Sequence, residues 1–276
     1  MDYFASVAPQ AQVTSLPYNP CNLLDFQLLK LAPGDGHSGA ASDREIVAVL
    51  LGGQATFDVN EQHFEHVGGR PNVFAGKPHA VYLPAGSSFT ITANSAAEIA
   101  LVSAPSDLQT APYVITPAQV TSGMWGAANF SRRFNQILTA TGQPGLPARR
   151  LIVGETITPS GHWSTYPAHK HEVDDLPAEA FHEEMYYFKV APSDGFGIAR
   201  FYTGADRDPA IEENYTVRDN TILMMPFGYH TYVGAPGFTS YYLWFLAGEH
   251  RTQAVIEDPD TRWVSKTVPM LRELGH

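Results

Sequence analysis

The chain of 276 residues is poor in cysteine, in positive charge and in long apolar segments. Cys21 is its only cysteine, which excludes an intrachain disulfide and a zinc site built from several thiolates. Lysine and arginine number 17 against 28 aspartate and glutamate residues, and this formal net charge of −11 argues against nucleic-acid binding. The longest obvious apolar run, Ile46 to Leu51, is too short to cross a bilayer, and the first residues do not have the pattern of a signal peptide. We therefore expect a cytoplasmic protein with no membrane or nucleic-acid partner.

Short segments rich in Val, Ile, Tyr, Phe and Thr run along the whole chain, separated by scattered glycine and proline. The segments that predict strands include Glu45–Leu51, Ala55–Val59, His79–Leu83, Ser88–Ala93, Glu98–Ser103, Arg149–Thr158, Glu184–Val190, Gly197–Thr203, Thr221–Met225 and Thr239–Ala247. Many short strands with turn signals between them predict an all-β sandwich or barrel. Helical periodicity is weak, and its best candidate is Ser131–Thr141.

An internal repeat predicts two copies of one β domain. Glu45 opens a strand-like segment in the first half, and Glu184 opens another in the second half. Further on, Leu-Pro at Pro84 is matched by Met-Pro at Pro226, and the Glu-to-Pro separations are 84 − 45 = 39 and 226 − 184 = 42 residues. Two landmarks at nearly equal distances indicate duplication, with the division between residues 104 and 149.

The pattern His169-Lys170-His171 is the clearest candidate for a site. Histidines at i and i+2 of an extended segment point to the same side, where two imidazole nitrogens can bind a divalent metal. His-x-His alone is common, and most such pairs are surface or structural residues. Glu184 and His230, which follows a Pro-x-Gly turn, lie where a jelly roll would bring them opposite this pair.

These motifs resemble the two-part metal motif of the cupins, which are jelly-roll barrels that bind one metal in the mouth. Longer stretches resemble the 5-deoxy-glucuronate isomerase family of inositol catabolism. The stretches in the second half are residues 161–172, 183–188, 218–230, 235–238 and 241–243, and those in the first half are residues 68–70, 73–74 and 80–88. The likeness covers most of the chain.

The resemblance implies a bicupin, with two jelly-roll barrels in one chain. We expect a degenerate, metal-free cupin at residues 1–108 and a metal-binding cupin at residues 109–276. The implied ligands of one divalent ion (Zn, Mn, Ni or Fe) are His169, His171, Glu184 and His230. The implied reaction interconverts 5-deoxy-D-glucuronate and 2-deoxy-5-keto-D-gluconate, an aldose–ketose isomerisation through a cis-enediolate held by the metal.

Two features of the ligand pattern need interpretation. Twelve residues separate His171 from Glu184, more than in most cupins, and this leaves Glu183 as an alternative ligand. We favour Glu184, because it directly precedes the aromatic strand and aligns with Glu45. In the first half His37 stands where the His-x-His pair is expected, but the second histidine is missing.

Ser88 takes the place of His230 in the first half, while Glu45 remains. One histidine and one carboxylate make a poor divalent site, and this favours a metal-free N-terminal barrel whose role is packing and pairing.

The substrate and proton-transfer residues are predicted with less support. A sugar acid needs a cationic partner, and Arg200 is the candidate, on the same strand face as Tyr202. Strand parity from Glu184 and His230 directs Tyr186 and Tyr232 into the barrel. We therefore predict Glu184, Tyr186 and Tyr202 as catalytic residues and Arg200 and Tyr232 as substrate-binding residues. The general base stays open among Asp174, Asp175 and Glu183.

Other functions remain compatible with this sequence, because a fold does not fix a function. The alternatives are a related uronate isomerase of pectin breakdown, a cupin dioxygenase, and a sugar-binding cupin without enzymatic activity. Open barrel edges also make a homo-oligomer plausible.

Overall fold

The computed structural model describes residues 2–204 and 207–276 and is built almost entirely from antiparallel β-strands. The strands of the first part of the chain are β1 (Phe4–Ser6), β2 (Val13–Ser15), β3 (Asp25–Leu31), β4 (Gly36–Ala40), β5 (Arg44–Gly52), β6 (Gln54–Val59), β7 (Gln62–Gly68), β8 (His79–Leu83), β9 (Ser88–Ala93), β10 (Ala97–Pro105) and β11 (Tyr113–Ile115). Those of the second part are β12 (Thr121–Trp125), β13 (Arg132–Leu138), β14 (Leu151–Thr158), β15 (Trp163–Lys170), β16 (Glu183–Ala191), β17 (Gly197–Tyr202), β18 (Glu212–Val217), β19 (Thr221–Met225), β20 (Tyr229–Gly234), β21 (Thr239–Ala247) and β22 (Ile256–Glu257). The helical segments are two 3-10 turns and one short α-helix, Ala128–Phe130, Arg262–Thr267 and α1 (Val268–Glu273). None of the helices in this described part of the chain is long and apolar enough to cross a membrane.

The strands form two jelly-roll barrels, each made of a large and a small sheet. In the N-terminal barrel the sheet β11-β8-β5-β10-β3-β2 faces the sheet β4-β9-β6-β7. In the C-terminal barrel the sheet β1-β19-β16-β21-β14-β13-β12 faces the sheet β18-β17-β20-β15-β22. The predicted all-β, two-barrel fold is therefore confirmed.

Two short strands are exchanged between the barrels. The first strand of the chain, β1, pairs with β19 of the C-terminal barrel, and β11 pairs with β8 of the N-terminal barrel. The chain thus crosses between the barrels on both sides of the predicted division at 108/109, which stays a prediction.

The large sheets are buried on both faces. Along β5, Ala48 and Leu50 pack inside the N-terminal barrel, whereas Val47 and Val49 pack in a central core between the barrels. The central core also holds Tyr187, whose ring lies 5.1 Å from that of Phe26 of the other barrel. Since side chains alternate along a strand, one apolar segment supplies both cores, which explains the nearly continuous apolar runs.

The structure confirms the ten strand segments named above. Four of them have the predicted bounds, namely His79–Leu83, Ser88–Ala93, Thr221–Met225 and Thr239–Ala247. The best candidate for a helix, Ser131–Thr141, is not helical, because this segment contains β13, paired with β12 and β14. The rings of Phe134 and Trp125 stack at 4.1 Å across the β12–β13 pair, and sheet packing overrides the weak helical periodicity.

Candidate metal centre

Four side chains predicted from the sequence converge in the C-terminal barrel. His169 lies near the end of β15 and His171 just after it, Glu184 is the second residue of β16, and His230 is the second residue of β20. One potential ligand atom from each of the four lies within 4.8 Å of the others. Three of these residues are buried and His169 is partly buried.

The backbone holds the histidines in place through a bulge and a turn. His169 pairs with His230 and Ser164 pairs with Tyr232, so β15 has three more residues than β20 between these two pairs. Such bulges re-aim side chains near functional sites. Before His230, Gly228 has a φ of +82°, and a Cβ there would lie 2.8 Å from the carbonyl oxygen of Tyr202. Glycine is therefore required in the turn that delivers His230.

Hydrogen bonds orient the rings of the cluster. His171 donates from Nδ1 to the carbonyl oxygen of His182 at 2.7 Å, which turns Nε2 toward the Glu184 carboxylate at 2.9 Å. His230 Nε2 lies 3.1 Å from the same carboxylate oxygen, yet both ring nitrogens of His230 are buried without a hydrogen-bond partner of good geometry. A buried polar atom without a partner is costly and indicates a missing interaction.

The electrostatics of the cluster favour an anionic carboxylate. Burial by itself would raise the pKa of Glu184, but the hydrogen bond from His171 and the nearby His230 ring outweigh it and leave the pKa well below its ordinary value. Burial and the charges of His230 and His171 lower the pKa of His169, which keeps that imidazole neutral. Burial opposes but does not outweigh the effect of the adjacent Glu184 carboxylate, which raises the pKa of His171. Metal binding needs neutral imidazoles and an ionised carboxylate, so a cation would displace any proton that His171 holds.

These residues fit a divalent cation. Metal bonds of about 2.0–2.2 Å from nitrogen and oxygen ligands bring the ligand atoms within about 4.4 Å of one another, close to the spread seen here. A cation would also satisfy one of the two unpartnered ring nitrogens of His230. The His171 Nδ1 bond to a backbone carbonyl is the outer support that metal-ligating histidines typically have.

A pocket opens beside the cluster. Its lining includes Tyr186, Tyr242, Thr165, Trp125 and Arg132. Thr165 Oγ1 lies 3.2 Å from the hydroxyl of Tyr186 and 3.3 Å from that of Tyr242. Burial and the charge of Glu184 raise the pKa of Tyr186 well above its ordinary value, so this hydroxyl keeps its proton.

Three of the predicted residues do not line the pocket. Arg200 forms a two-point ion pair with Glu212 at 2.7 and 2.8 Å, on the outer side of the small sheet. The guanidinium group of Arg200 stacks on Tyr202, so the prediction of a shared strand face was correct. Phe201 pairs with the inward-facing His230, and this pairing turns Arg200 and Tyr202 to the outer side of the sheet, away from the pocket.

The hydroxyl groups of Tyr202 and Tyr232 form hydrogen bonds with other side chains away from the pocket. The Tyr202 hydroxyl donates to Asp258. Tyr232 does point into the barrel, but it is fully buried against Phe188 and its hydroxyl bonds Ser240.

The structure separates Glu183 from Glu184. The Glu183 carboxylate points away from the cluster and accepts hydrogen bonds from the backbone N–H groups of Asn22, Leu23 and Leu24, at 2.8, 2.6 and 3.2 Å. This orientation agrees with the preference for Glu184 as the candidate ligand.

The alignment of Glu184 with Glu45 is wrong by one residue. Ile46 pairs with Leu83 just as Glu184 pairs with Met225, so Ile46 is the counterpart of Glu184 and Glu45 that of Glu183.

The counterpart of His169 was also misplaced. Ala40 pairs with Ser88 as His169 pairs with His230, so Ala40, and not His37, occupies the position of the first histidine. Ser42 then corresponds to His171. The four positions of the N-terminal barrel carry no imidazole or carboxylate.

Sequence reasoning missed Arg132 and Trp125 as pocket residues. Arg132 lies in the segment that was the best candidate for a helix, and no sequence motif marks Trp125. Read as a strand, this segment places Arg132 and Phe134 on one face, and both side chains pack on the Trp125 ring.

Known proteins are similar to this chain in sequence and in fold. The chain matches the KduI/IolB family over residues 6–264. It is 39% identical over 245 residues to the 5-deoxy-glucuronate isomerase of Bacillus licheniformis, covering 87% of each chain, and 36% identical over 243 residues to that of Geobacillus kaustophilus, covering 88% of this chain and 86% of the relative. The crystal structure of an IolB-like protein from Salmonella typhimurium LT2 superposes with a TM-score of 0.88 at 26% identity, covering 96% of this chain and 99% of the other.

A more distant structure shares the fold alone. The oxalate decarboxylase of Lactobacillus farciminis superposes with a TM-score of 0.67 at 11% identity, covering 93% of this chain and 88% of the other. The family match spans most of the chain, and both isomerases are matched over more than four fifths of their length. This chain therefore belongs to the KduI/IolB family.

Proposed function

We propose that this protein is a metal-dependent aldose–ketose isomerase that interconverts 5-deoxy-D-glucuronate and 2-deoxy-5-keto-D-gluconate in myo-inositol catabolism. The observation that carries the proposal is the convergence of His169, His171, Glu184 and His230 beside a pocket. The names of the curated relatives, at 35–39% identity, support the choice of substrate.

One divalent ion, Zn, Mn, Ni or Fe, would be held by His169, His171, Glu184 and His230. When bound, such an ion polarises a carbonyl oxygen as a Lewis acid and so acidifies the neighbouring C–H bond. Three neutral imidazoles and one carboxylate leave a net charge near +1 on the site, which favours a developing negative charge on the substrate.

The pocket residues would position the sugar through hydrogen bonds from side-chain hydroxyl groups. Tyr186 retains its proton, so its hydroxyl can donate a hydrogen bond to a substrate oxygen. Thr165 orients the hydroxyls of both Tyr186 and Tyr242. The isomerisation moves hydrogen between two neighbouring carbons and leaves the molecular formula unchanged, so no redox cofactor is required.

Turnover and metal content test the proposal together. We expect the purified protein to contain about one divalent ion per chain. We expect it to convert 5-deoxy-glucuronate to the ketone, followed by NMR, at the same rate with and without oxygen. Chelation should abolish turnover and re-addition of the metal should restore it. Absence of turnover by the metal-loaded protein contradicts the proposed activity.

Parallel assays separate the alternatives. A related uronate isomerase of pectin breakdown is the first alternative, so the unsaturated-uronate breakdown product of pectin is the second substrate to assay. Faster turnover of that sugar acid would reassign the substrate. Oxygen consumption would indicate a dioxygenase, and sugar-acid binding without any turnover would indicate a binding protein.

The cellular setting follows from the proposed activity. We propose that the enzyme acts in the cytoplasm on a small sugar acid and assembles as a homo-oligomer through its exposed strand edges. Fractionation of cell extracts and light scattering of the purified protein test these two statements.

A further inference from the structure

The pocket contains a half-buried arginine whose hydrogen-bonding capacity is largely unused. Arg132 on β13 lines the same pocket as the histidine cluster, and its guanidinium carbon lies 5.6 Å from the centre of the Trp125 ring. Its Nε is buried without a hydrogen-bond partner, and Nη1 reaches only the carbonyl oxygen of Phe130 at 3.3 Å. Burial lowers the pKa of this guanidinium, but an arginine remains charged at any physiological pH.

Two other arginines of the protein, Arg70 and Arg200, are neutralised by paired carboxylates. Arg70 is buried and makes two hydrogen bonds to the Glu155 carboxylate at 3.0 and 2.9 Å. Arg200 is paired with Glu212 in the same two-point manner. Within residues 2–204 and 207–276, Arg132 takes part in no salt bridge. A half-buried cation that faces a pocket without a partner anion is well placed to receive an anion from a ligand.

The other pocket walls offer no replacement for this charge. Of the described residues that line the pocket, Arg132 is the only arginine, and there is no lysine among them. The net charge of the chain is −11, so an anionic ligand needs a local cation. A planar guanidinium binds a planar carboxylate through two parallel hydrogen bonds, which gives orientation as well as attraction.

We propose that Arg132 binds the carboxylate group of the sugar acid and so selects uronates over neutral sugars. The proposal rests on the proposed function only in requiring a uronate ligand. The Trp125 ring holds the guanidinium from one side, and the metal-binding cluster lies on the wall of the same pocket. The carboxylate would then fix one end of the sugar, while the aldehyde end lies at the histidines.

A set of variants on β13 tests the proposal. Arg132→Gln removes the charge, Arg132→Lys keeps the charge but loses the two-point geometry, and the neighbouring Arg133→Gln removes an exposed charge from the opposite strand face. The probes are D-glucuronate, a stable uronate, and D-glucose, which lacks the carboxylate, with binding measured by calorimetry on the metal-loaded protein.

We expect Arg132→Gln to weaken glucuronate binding by about 30-fold or more, which is the usual consequence of removing one partner of a buried charge pair. Arg132→Lys should have an intermediate effect, and Arg133→Gln should stay within about twofold of the wild type. Glucose binding should be the same in all four proteins. In turnover assays the loss should appear mainly in KM, and guanidinium ion should partly rescue an Arg132→Ala variant.

The outcomes separate this inference from the proposed function. If the wild type binds glucuronate through Arg132 but isomerises no sugar acid, the function fails and the inference stands. Wild-type affinity in Arg132→Gln, or no uronate binding by the wild type, overturns the inference. Circular dichroism and metal content check that each variant is folded, and Arg132→Lys decides the question if Arg132→Gln does not fold.

Discussion

The two barrels share one architecture but differ at the four positions where the candidate ligands lie. The C-terminal barrel has His169, His171, Glu184 and His230, and the N-terminal barrel has Ala40, Ser42, Ile46 and Ser88 at the paired positions. Both barrels retain their two sheets and a filled interior. The jelly roll therefore needs none of these ligands for folding, and the site is an addition to a scaffold that stands without it.

The barrels are alike in that each contributes a glutamate that accepts backbone hydrogen bonds from the other part of the chain. Glu183 of the C-terminal barrel accepts three backbone N–H groups just before β3, and Glu45 of the N-terminal barrel accepts the N–H groups of Arg149, Arg150 and Leu151, at 2.7, 2.7 and 2.8 Å. The exchanged strands are reciprocal in the same way, since β1 pairs with β19 of the C-terminal barrel and β11 with β8 of the N-terminal barrel. The duplicated features that persist are those that join the barrels, whereas the ligand positions have diverged.

The largest expected effect comes from replacing His230, and its N-terminal counterpart Ser88, by alanine. His230→Ala should lower the metal content from about one to near zero per chain and reduce turnover at least about 100-fold, because it removes a buried imidazole of the cluster. Ser88→Ala, its counterpart, should change neither quantity. Elemental analysis and the isomerase assay measure both variants. Retention of metal by His230→Ala, or its loss in Ser88→Ala, would break the proposed division of roles.

The second effect concerns the adjacent glutamates. Glu183→Gln and Glu45→Gln should each lower the free energy of unfolding by about 2–4 kcal/mol, because a neutral amide cannot replace a buried carboxylate that accepts three backbone hydrogen bonds. Both variants should keep the metal. Glu184→Gln should lose the metal instead. Urea unfolding and elemental analysis distinguish these patterns, and metal loss in Glu183→Gln with retention in Glu184→Gln would reverse the assignment.

The sequence predicted the features that depend on local pattern. Strands such as β8, β9, β19 and β21 have the predicted bounds, because glycine, proline and asparagine mark their ends and β-branched and aromatic residues fill them. The candidate cluster was predicted too, because histidines at i and i+2 share a strand face whatever the strand pairs with.

Features that depend on pairing between strands were not predictable in the same way. Glu183 and Glu184 are adjacent, so aligning Glu45 with one or the other shifts the register by one residue, and only the pairing of Ile46 with Leu83 decides it. For Arg200 the shared face with Tyr202 was correct, but its direction depends on the pairing of Phe201 with His230. Strands of three residues, such as β1, carry no pattern that names their partner in the other barrel.

The smallest effect distinguishes a structural histidine of the N-terminal barrel from the clustered ones. His79 accepts a hydrogen bond at Nδ1 from the N–H of Gly68 at 2.9 Å, and burial lowers its pKa. The folded protein therefore binds fewer protons than the unfolded chain below a pH of about 6.5, and His79 contributes a loss of stability as the pH falls from 7 to 5. His79→Gln, which keeps an acceptor for Gly68, should make this loss smaller.

His63 provides the opposite sign in the same barrel, because hydrogen bonds to Asp58 and Glu65 raise its pKa. Its contribution is present at pH 5 and disappears as the pH rises through that raised pKa, so His63→Gln should make the loss of stability between pH 7 and 5 larger. Urea midpoints at the two pH values measure both variants against the wild type. If the urea midpoint changes equally between pH 7 and pH 5 in all three proteins, the protonation of these two histidines is not individually coupled to folding. The contrast with the C-terminal cluster, where three imidazoles meet at one carboxylate, would then need another basis.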